Sequence, residues 1–198
     1  MGIILASASP RRRDILSNIG VKFGIFTADC DEYIEDGIMP AEAVMLLSMK
    51  KCAASAKYFA NEKKIVIGAD TVVVFENEIL TKPKDSEDAF AMLRKLSGRI
   101  HSVMTGVSIM RTSDAKCETF YEKTDVKFKD LTDEEIRAYI KTGEPLDKAG
   151  SYGIQGIGSL FIEKIDGDYF NVVGLPVCKL CEKLKNEFDI NIILEGQE

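Results

Sequence analysis

Asp70 is the residue of this sequence whose position most directly suggests chemistry. It interrupts an apolar run over residues 65–69 that continues over 71–75, a pattern that predicts a buried strand. A carboxylate there can bind a hard cation or act as a general base. It can also be a structural aspartate that accepts backbone hydrogen bonds at a bend, so the residue alone leaves both roles open.

Three consecutive arginines form a second unusual feature. Arg11, Arg12 and Arg13 follow Ser9 and Pro10, where a short apolar strand gives way to an expected helix. Serine suits the N-cap and proline suits the first helical position. The arginines therefore stand at the positive end of the helix dipole, where cations are disfavoured. An anion is the simplest compensation, and a polyphosphate would suit the position.

A lysine breaks an apolar face further along the chain. In the helix expected over residues 40–60, Val44, Leu47, Ala54 and Tyr58 share one face, and Lys51 occupies the missing position. Burying a bare ammonium group is unfavourable, so a buried Lys51 needs a partner. The alternative is a side chain that extends along the surface to water.

Two later segments complete the set of polar candidates. Lys82 and Lys84 follow an expected hairpin, where ordinary surface lysines are also common. A glycine-dense stretch over residues 150–158 contains Gln155; it can bring its backbone close to a ligand or serve as a flexible connection. It lacks the Gly-Lys-Ser/Thr ending of a Walker loop and the strand-then-helix setting of a dinucleotide fingerprint.

These residues favour one class of chemistry. With a single histidine, His101, no Ser-His-Asp set can be assembled. Carboxylates, cations and glycine loops suit a metal-assisted phosphate reaction better than acyl transfer. The residues concerned are Glu32, Asp70, Arg11, Arg12, Lys51 and Lys82.

Composition limits the remaining possibilities. The net charge of -6 argues against a nucleic-acid coat and against an anionic membrane surface. No apolar run approaches the ~20 residues of a membrane span, and no signal peptide is expected. Five scattered cysteines predict reduced thiols in a cytoplasm. Cys178 and Cys181 form a C-x-x-C inside an expected helix, which favours packing over a zinc site.

The elements that must position these residues alternate between strand and helix. Asp85 or Ser86 is expected to begin a helix that ends before Gly98, and Thr132 with Glu135 predicts a capping box. A hairpin is expected at Asp166-Gly167, followed by a strand over residues 169–173. No repeat or long linker divides the chain. The sequence therefore predicts a single mixed α/β domain over residues 1–198.

Several blocks of this sequence resemble the Maf family of nucleoside triphosphate pyrophosphatases, in particular its dTTP/UTP branch. They occur in order over nearly the whole chain. The blocks are Ser7-x-Ser9-Pro10-Arg11-Arg12, Gly68-Ala69-Asp70-Thr71, Lys82-Pro83, Leu96-Ser97-Gly98, Glu144-Pro145-Leu146-Asp147-Lys148-Ala149-Gly150, Tyr152-Gly153-Ile154-Gln155-Gly156 and Val172-Val173-Gly174-Leu175-Pro176. The branch that favours 7-methyl-GTP has a different block where this chain has residues 152–155.

The resemblance implies an elongated α/β fold with two lobes around a central cleft, related to the inosine triphosphate pyrophosphatases. It implies a homodimeric cytoplasmic enzyme that cleaves dTTP and UTP between the α and β phosphates, with Mg²⁺ or Mn²⁺. The products would be a nucleoside monophosphate and pyrophosphate, a house-cleaning reaction on nucleotides.

The resemblance also implies roles for single residues. Asp70 matches the proton acceptor and a metal position, and Glu32 matches an acidic position near the metal. Positions linked to pyrimidine choice are Arg12, Thr71 and Gln155. Positions around the triphosphate are Ser7, Ser9, Arg11, Lys51 and Lys82. Arg13 stands where members of the family vary, and we expect it to face solvent.

Two other functions are compatible with the same residues. One is a nucleotide-binding regulator of cell division and septum formation that works without turnover. The other is a pyrophosphatase for purine or modified-base triphosphates. The carboxylate at Asp70 favours an enzyme, because a pure binder gains nothing from an ionised carboxylate that faces a triphosphate.

Overall fold

The computed structural model describes residues 2–35 and 37–195 of the chain. Strands and helices alternate along these residues, as the sequence predicts. The strands are β1 (Gly2–Leu5), β2 (Phe23–Ile25), β3 (Lys64–Phe75), β4 (Glu78–Leu80), β5 (Ile100–Arg111), β6 (Cys117–Phe128) and β7 (Ile162–Asp166). The helices are α1 (Pro10–Asn18), α2 (Pro40–Ala56), α3 (Ser86–Leu96), α4 (Asp133–Lys141), α5 (Tyr169–Val173), α6 (Val177–Phe188) and α7 (Ile192–Glu195).

The strands belong to one mixed sheet. Their order is β2-β1-β3-β5-β6-β7, and β4 pairs with β3. β1 is parallel to both β2 and β3, whereas β3 with β4 and β6 with β7 are antiparallel pairs. A parallel pair needs a crossover, and α1 supplies it between β1 and β2. The mixed α/β class is therefore confirmed.

The chain divides into two compact units. The first combines Met1–Asp70, Thr105–Glu122 and Gly174–Glu198, and the second combines Thr71–Met104 and Lys123–Val173. No helix of the described residues is long and apolar enough to cross a membrane. The five cysteines are all free thiols.

In the first unit, helix α2 lies directly against the backbone of two strands. A Cβ on Gly68 of β3 would overlap the carbonyl of Ser48 and approach the Cys52 nitrogen at 2.7 Å. A Cβ on Gly106 of β5 would overlap the carbonyl of Val44 in the same way. Glycine at both places lets the helix approach more closely than any side chain allows.

The second unit has an aromatic core around His101. The His101 Nε2 is 2.7 Å from the Tyr152 hydroxyl, and both rings meet Phe128 edge-on at about 5 Å between centroids. His101 is 2% exposed, and its Nδ1 has no hydrogen-bond partner among the described residues. Burial lowers the pKa of His101 to about 4, against the opposing charge of Asp125.

Most predictions from local signals are confirmed. Asp85 caps α3 by accepting hydrogen bonds from the backbone N–H groups of Glu87 and Asp88. Thr132 and Glu135 form the expected capping box at the start of α4.

Two predictions from longer patterns are wrong. Residues 169–173 form helix α5 and not a strand, because the Asp168 carboxylate accepts a hydrogen bond from the Phe170 N–H and starts a helical turn. The apolar face predicted for α2 is also not buried along its whole length. Ala54 is half-buried, and Tyr58 is 69% exposed. Tyr58 lies beyond α2 in the 3₁₀ turn Lys57–Phe59.

Candidate active site

Lys51 joins two carboxylates in the first unit. Its Nζ donates a hydrogen bond to the Asp70 Oδ1 at 2.6 Å and lies 3.3 Å from the Glu32 Oε2. Lys51 and Asp70 are largely buried, with 20% and 15% of their side chains exposed, whereas Glu32 is 61% exposed. We call these three residues the charge cluster. The partner that the sequence requires for a buried Lys51 is present, so the surface alternative does not apply.

The packing of α2 on β3 explains how the cluster forms. Side chains alternate along a strand, so Gly68 and Asp70 share one face of β3. Gly68 touches α2 at Ser48 and Cys52, and Lys51 lies between these two positions on the helix. The missing side chain at residue 68 therefore brings Lys51 to Asp70. Asp70 is within a continuous strand, which argues against the alternative of a structural aspartate at a bend.

The Arg12 guanidinium group is bound by several groups of the protein. Its Nε donates to the Gly174 carbonyl at 2.8 Å, and its Nη1 donates to the Ala69 carbonyl at 2.9 Å and to the Ser7 Oγ at 3.0 Å. Burial lowers the pKa of Arg12 to about 10, which the charge of Asp70 opposes and that of Arg11 reinforces. Backbone carbonyls and the charge of Asp70 therefore supply part of the compensation that Arg12 needs, and a polyphosphate at the arginine run stays a prediction.

The other residues of this segment follow the prediction in part. Ser9 is the N-cap residue of α1, but its side chain makes no capping bond; its N–H instead donates to the Ser7 Oγ at 3.3 Å. Arg11 is half-buried. Arg13 is exposed and pairs with Asp14 at 3.3 Å, so the expectation that it faces solvent is confirmed.

Three of the site residues predicted from the sequence lie in the second unit. Thr71 directly follows Asp70 in β3 and is half-buried. Lys82, after β4, and Gln155, in the glycine-dense stretch, are both exposed. Of the candidates from sequence, seven therefore lie in the first unit, and contacts there join Lys51 with Asp70 and Glu32, and Ser7 with Ser9 and Arg12.

The donors of the charge cluster fit a hard divalent cation that arrives with a phosphate ligand. Glu32 and Asp70 both touch the same ammonium group, so the two carboxylates lie close together. Mg²⁺ usually takes one or two carboxylates from the protein and its other ligands from substrate phosphates and water. Within residues 2–35 and 37–195, no group of three or more His, Cys, Asp or Glu side chains could hold a metal alone.

Sequence reasoning assigned no role to Glu144, which the structure places at the centre of the glycine-dense stretch. Its carboxylate accepts hydrogen bonds from the N–H of Ile157 at 2.9 Å, the N–H of Gly158 at 3.2 Å and the Tyr139 hydroxyl at 2.9 Å. The glycine spacing is the signal for this role, since a carboxylate that lies directly against the backbone requires residues without side chains there. The stretch is therefore a hydrogen-bonded structure and not a flexible connection.

The strand-borne carboxylate can activate a water or bind a cation, and the lysine with the serine and arginine segment can bind phosphate oxygens, so this arrangement suits phosphoryl chemistry. The family described as Maf-like protein matches residues 2–187, so this chain belongs to the Maf-like family.

Two curated relatives and one solved structure are similar to this chain. It is 52% identical over 193 residues to the dTTP/UTP pyrophosphatase of Thermoanaerobacter sp. (strain X514), covering 98% of this chain and 100% of the relative. It is 50% identical over 192 residues to the dTTP/UTP pyrophosphatase of Clostridioides difficile (strain 630), covering 97% and 98%. Among solved structures, the Staphylococcus aureus Ham1 protein is similar with a TM-score of 0.46 and 18% identity, over 65% of this chain and 72% of that one.

Proposed function

We propose that this chain hydrolyses dTTP and UTP at the bond between the α and β phosphates, releasing a nucleoside monophosphate and pyrophosphate. The observation that carries the proposal is the charge cluster, in which the Lys51 ammonium holds the Asp70 carboxylate at 2.6 Å. The names of relatives about half identical over nearly the full chain support the choice of substrate. The reaction would remove unwanted pyrimidine nucleotides from the cell.

Asp70 is the general base in this proposal. Its carboxylate takes a proton from the water that attacks the α phosphorus, and the pyrophosphate leaves with its electron pair. Lys51 orients the carboxylate before substrate binds. When substrate binds, the ammonium group can shift from these carboxylates to a phosphate oxygen, so that one ionic partner replaces another.

Positive charge stabilises the leaving pyrophosphate. Arg11, Lys51 and Lys82, with the hydroxyls of Ser7 and Ser9, are the groups proposed to bind the triphosphate. Mg²⁺ or Mn²⁺, held by Glu32 and Asp70, would supply charge neutralisation and a more acidic water. A cation with two carboxylate ligands fits the donor set described above.

Three residues are proposed to select a pyrimidine. Gln155 carries one amide donor and one amide acceptor, which complement the acceptor and the imino donor of a uracil or thymine edge. Thr71 and Arg12 are proposed to act with it, and Arg12 acts from a buried position where it holds the Ala69 carbonyl next to Asp70. We also propose that the chain acts as a single domain, as a homodimer in the cytoplasm, without a nucleic-acid or membrane partner.

Pyrophosphate release from a panel of nucleoside triphosphates tests the proposal. With Mg²⁺, dTTP and UTP should be the best substrates, and EDTA should abolish the activity. If purine or modified-base triphosphates are the best substrates, the proposed substrate class is wrong, and the chain is a pyrophosphatase for those nucleotides. Binding of nucleotides without release of pyrophosphate would favour the regulator of cell division.

A further inference from the structure

Residues 153–158, which we call the glycine loop, close on themselves. A Cβ on Gly158 would lie 2.7 Å from the Gly153 carbonyl oxygen and 3.0 Å from its nitrogen, so the two ends of the loop touch through their backbones. Ile154 and Gln155 lie between these ends, and Gln155 is exposed. The loop therefore presents Gln155 at its tip.

Glu144 fills the inside of this loop. Its carboxylate accepts the N–H groups of Ile157 and Gly158, and a Cβ on Gly156 would overlap both carboxylate oxygens. Gly156 has a negative φ of -108°, so it is not in the left-handed region that favours glycine. Glycine at this position therefore serves close approach to the carboxylate.

Two neighbours hold Glu144 and the start of the loop in place. The Tyr139 hydroxyl donates to the Glu144 Oε1 at 2.9 Å and accepts the Gly153 N–H at 3.2 Å. The Lys148 Nζ donates to the Glu144 carbonyl at 2.7 Å, and its side chain would lie 2.8 Å from a Cβ on Gly153. Both ends of the loop are thus fixed by one connected group of hydrogen bonds.

This arrangement keeps Glu144 ionised. Burial alone would raise the pKa of its carboxyl group, but hydrogen bonds from Ile157, Gly158 and Tyr139 lower it below the usual value. An ionised carboxylate accepts hydrogen bonds through both oxygens, whereas an amide of the same shape accepts through only one. The loop therefore depends on the charge of Glu144 and not only on its volume.

We propose that Glu144 is a positioning residue for base selection, which holds the glycine loop so that Gln155 can bind the edge of a uracil or thymine base. This proposal rests on the proposed function, since it deepens the role of Gln155 at the same site. A loop with three glycines has a large entropy to lose, and a side chain amide selects a base only if its position is fixed beforehand. Glu144 supplies that order before substrate binds.

The variant Glu144→Gln tests the proposal, with Glu163→Gln as the matched control on the exposed face of β7. For Glu144→Gln we expect KM for dTTP to rise about tenfold with kcat within about threefold, as for the loss of one hydrogen bond to a charged group. The preference for dTTP over dCTP, measured as a ratio of kcat/KM, should fall by a similar factor. The inhibition constant of inorganic tripolyphosphate, which has no base, should stay unchanged.

A double-mutant cycle shows whether Glu144 acts through Gln155. If it does, Glu144→Gln combined with Gln155→Ala has the same KM as Gln155→Ala alone. Additive effects, an unchanged KM in Glu144→Gln, or an equal loss of tripolyphosphate binding would each overturn the proposal. Tyr139→Phe removes one donor to the same carboxylate and should reproduce the change in base preference more weakly, which keeps the test valid if Glu144→Gln does not fold.

The proposed function can fail separately. If the wild-type protein releases no pyrophosphate from any nucleotide, the proposed reaction is wrong, and calorimetric binding of dTTP and tripolyphosphate replaces the kinetic constants. Weaker dTTP binding with unchanged tripolyphosphate binding in Glu144→Gln would then still support the positioning role. Unchanged binding of both ligands would overturn it.

Discussion

The charge cluster and the glycine loop are both built around a carboxylate that the protein itself binds, but the partners of the two carboxylates differ. Asp70 is bonded to the end of a long lysine side chain, whose second partner, Glu32, is 61% exposed. Glu144 is bonded to two backbone N–H groups and to the hydroxyl of a buried tyrosine. The first carboxylate can change partners through side-chain rotation, whereas the second keeps its partners as long as the loop is folded.

This difference fits the two tasks proposed for them. Chemistry on a triphosphate requires groups that exchange a protein partner for a substrate, and the Lys51 ammonium has a second partner in the exposed Glu32 carboxylate. Base selection requires a fixed amide, and each hydrogen bond that the Glu144 carboxylate accepts is one to a charged group, which contributes about 1.5–3 kcal/mol. Substitutions that weaken each region separately should therefore have different effects on turnover, base preference and stability.

The largest effect is expected at Asp70. Asp70→Asn keeps the shape of the side chain but removes the proton acceptor, so kcat for dTTP should fall about 10³-fold with KM within about threefold. The assay is pyrophosphate release, with melting temperature as the measure of folding. Asp14→Asn, on the exposed side of α1, is the control and should behave like wild type. Turnover near the wild-type rate in Asp70→Asn would exclude this residue as the base.

Lys51→Met should have the next largest effect. It removes the cation that joins Asp70 to Glu32, and kcat/KM for dTTP should fall about 100-fold, as for the loss of one group that stabilises the transition state. Lys50→Met is the matched control, because Lys50 is the next residue of α2 and bonds to the exposed Tyr33 carbonyl. Equal losses in the two variants would mean that general charge and not the cluster matters. A lower melting temperature with unchanged kinetics would make Lys51 a structural residue.

Gly68→Ala tests the packing that forms the charge cluster. The added methyl group overlaps the backbone of α2, so the free energy of unfolding should fall by about 2 kcal/mol, and turnover should fall with it. Gly24→Ala in β2 is the control, because its Cβ would meet only the end of the Ile4 side chain at 3.1 Å. Urea unfolding at pH 7 measures the difference. If Gly68→Ala is as stable as the control, the helix is not held where we place it.

The smallest effect concerns His101, whose partner Tyr152 directly precedes the glycine loop. Its pKa is about 4 in the folded protein and near 6.5 when unfolded, so the unfolded state binds the proton first. The contribution of the neutral His101 to the free energy of unfolding is therefore fully present above pH 6.5, and it is lost as the pH falls towards 4. Between pH 7 and pH 5, the free energy of unfolding of the wild-type protein should fall by about 2 kcal/mol more than that of His101→Gln. If unfolding free energy varies with pH in the same way for the two proteins, the His101 pKa is not lowered by folding, and the imidazole is in contact with water.

Local signals in the sequence were sufficient for much of the fold. The start of α3 at Asp85 and the capping box of Thr132 depend on residues within one helical turn, so both could be predicted. The strand that carries Asp70 was also clear, because its apolar run is long. By contrast, the carboxylate of Asp168 converts an apparent strand into α5, and this effect depends on how the preceding turn is folded.

The candidate site could be predicted only in part. The residue types of Lys51 and Asp70 stood out, but their contact depends on Gly68, which lies against a helix distant in sequence. The carbonyl partners of Arg12 are 57 and 162 residues away and leave no trace in the local pattern. Glu144 was inconspicuous for the same reason, since its importance comes from backbone groups and not from its neighbours in sequence.

Hydrolysis of dTTP in water enriched in ¹⁸O tests the central claim most directly. We expect one ¹⁸O atom in the dTMP product and none in pyrophosphate, because water activated by Asp70 attacks the α phosphorus. Label in pyrophosphate would place the attack on the β phosphorus. Formation of dTDP and inorganic phosphate would contradict the proposed reaction altogether.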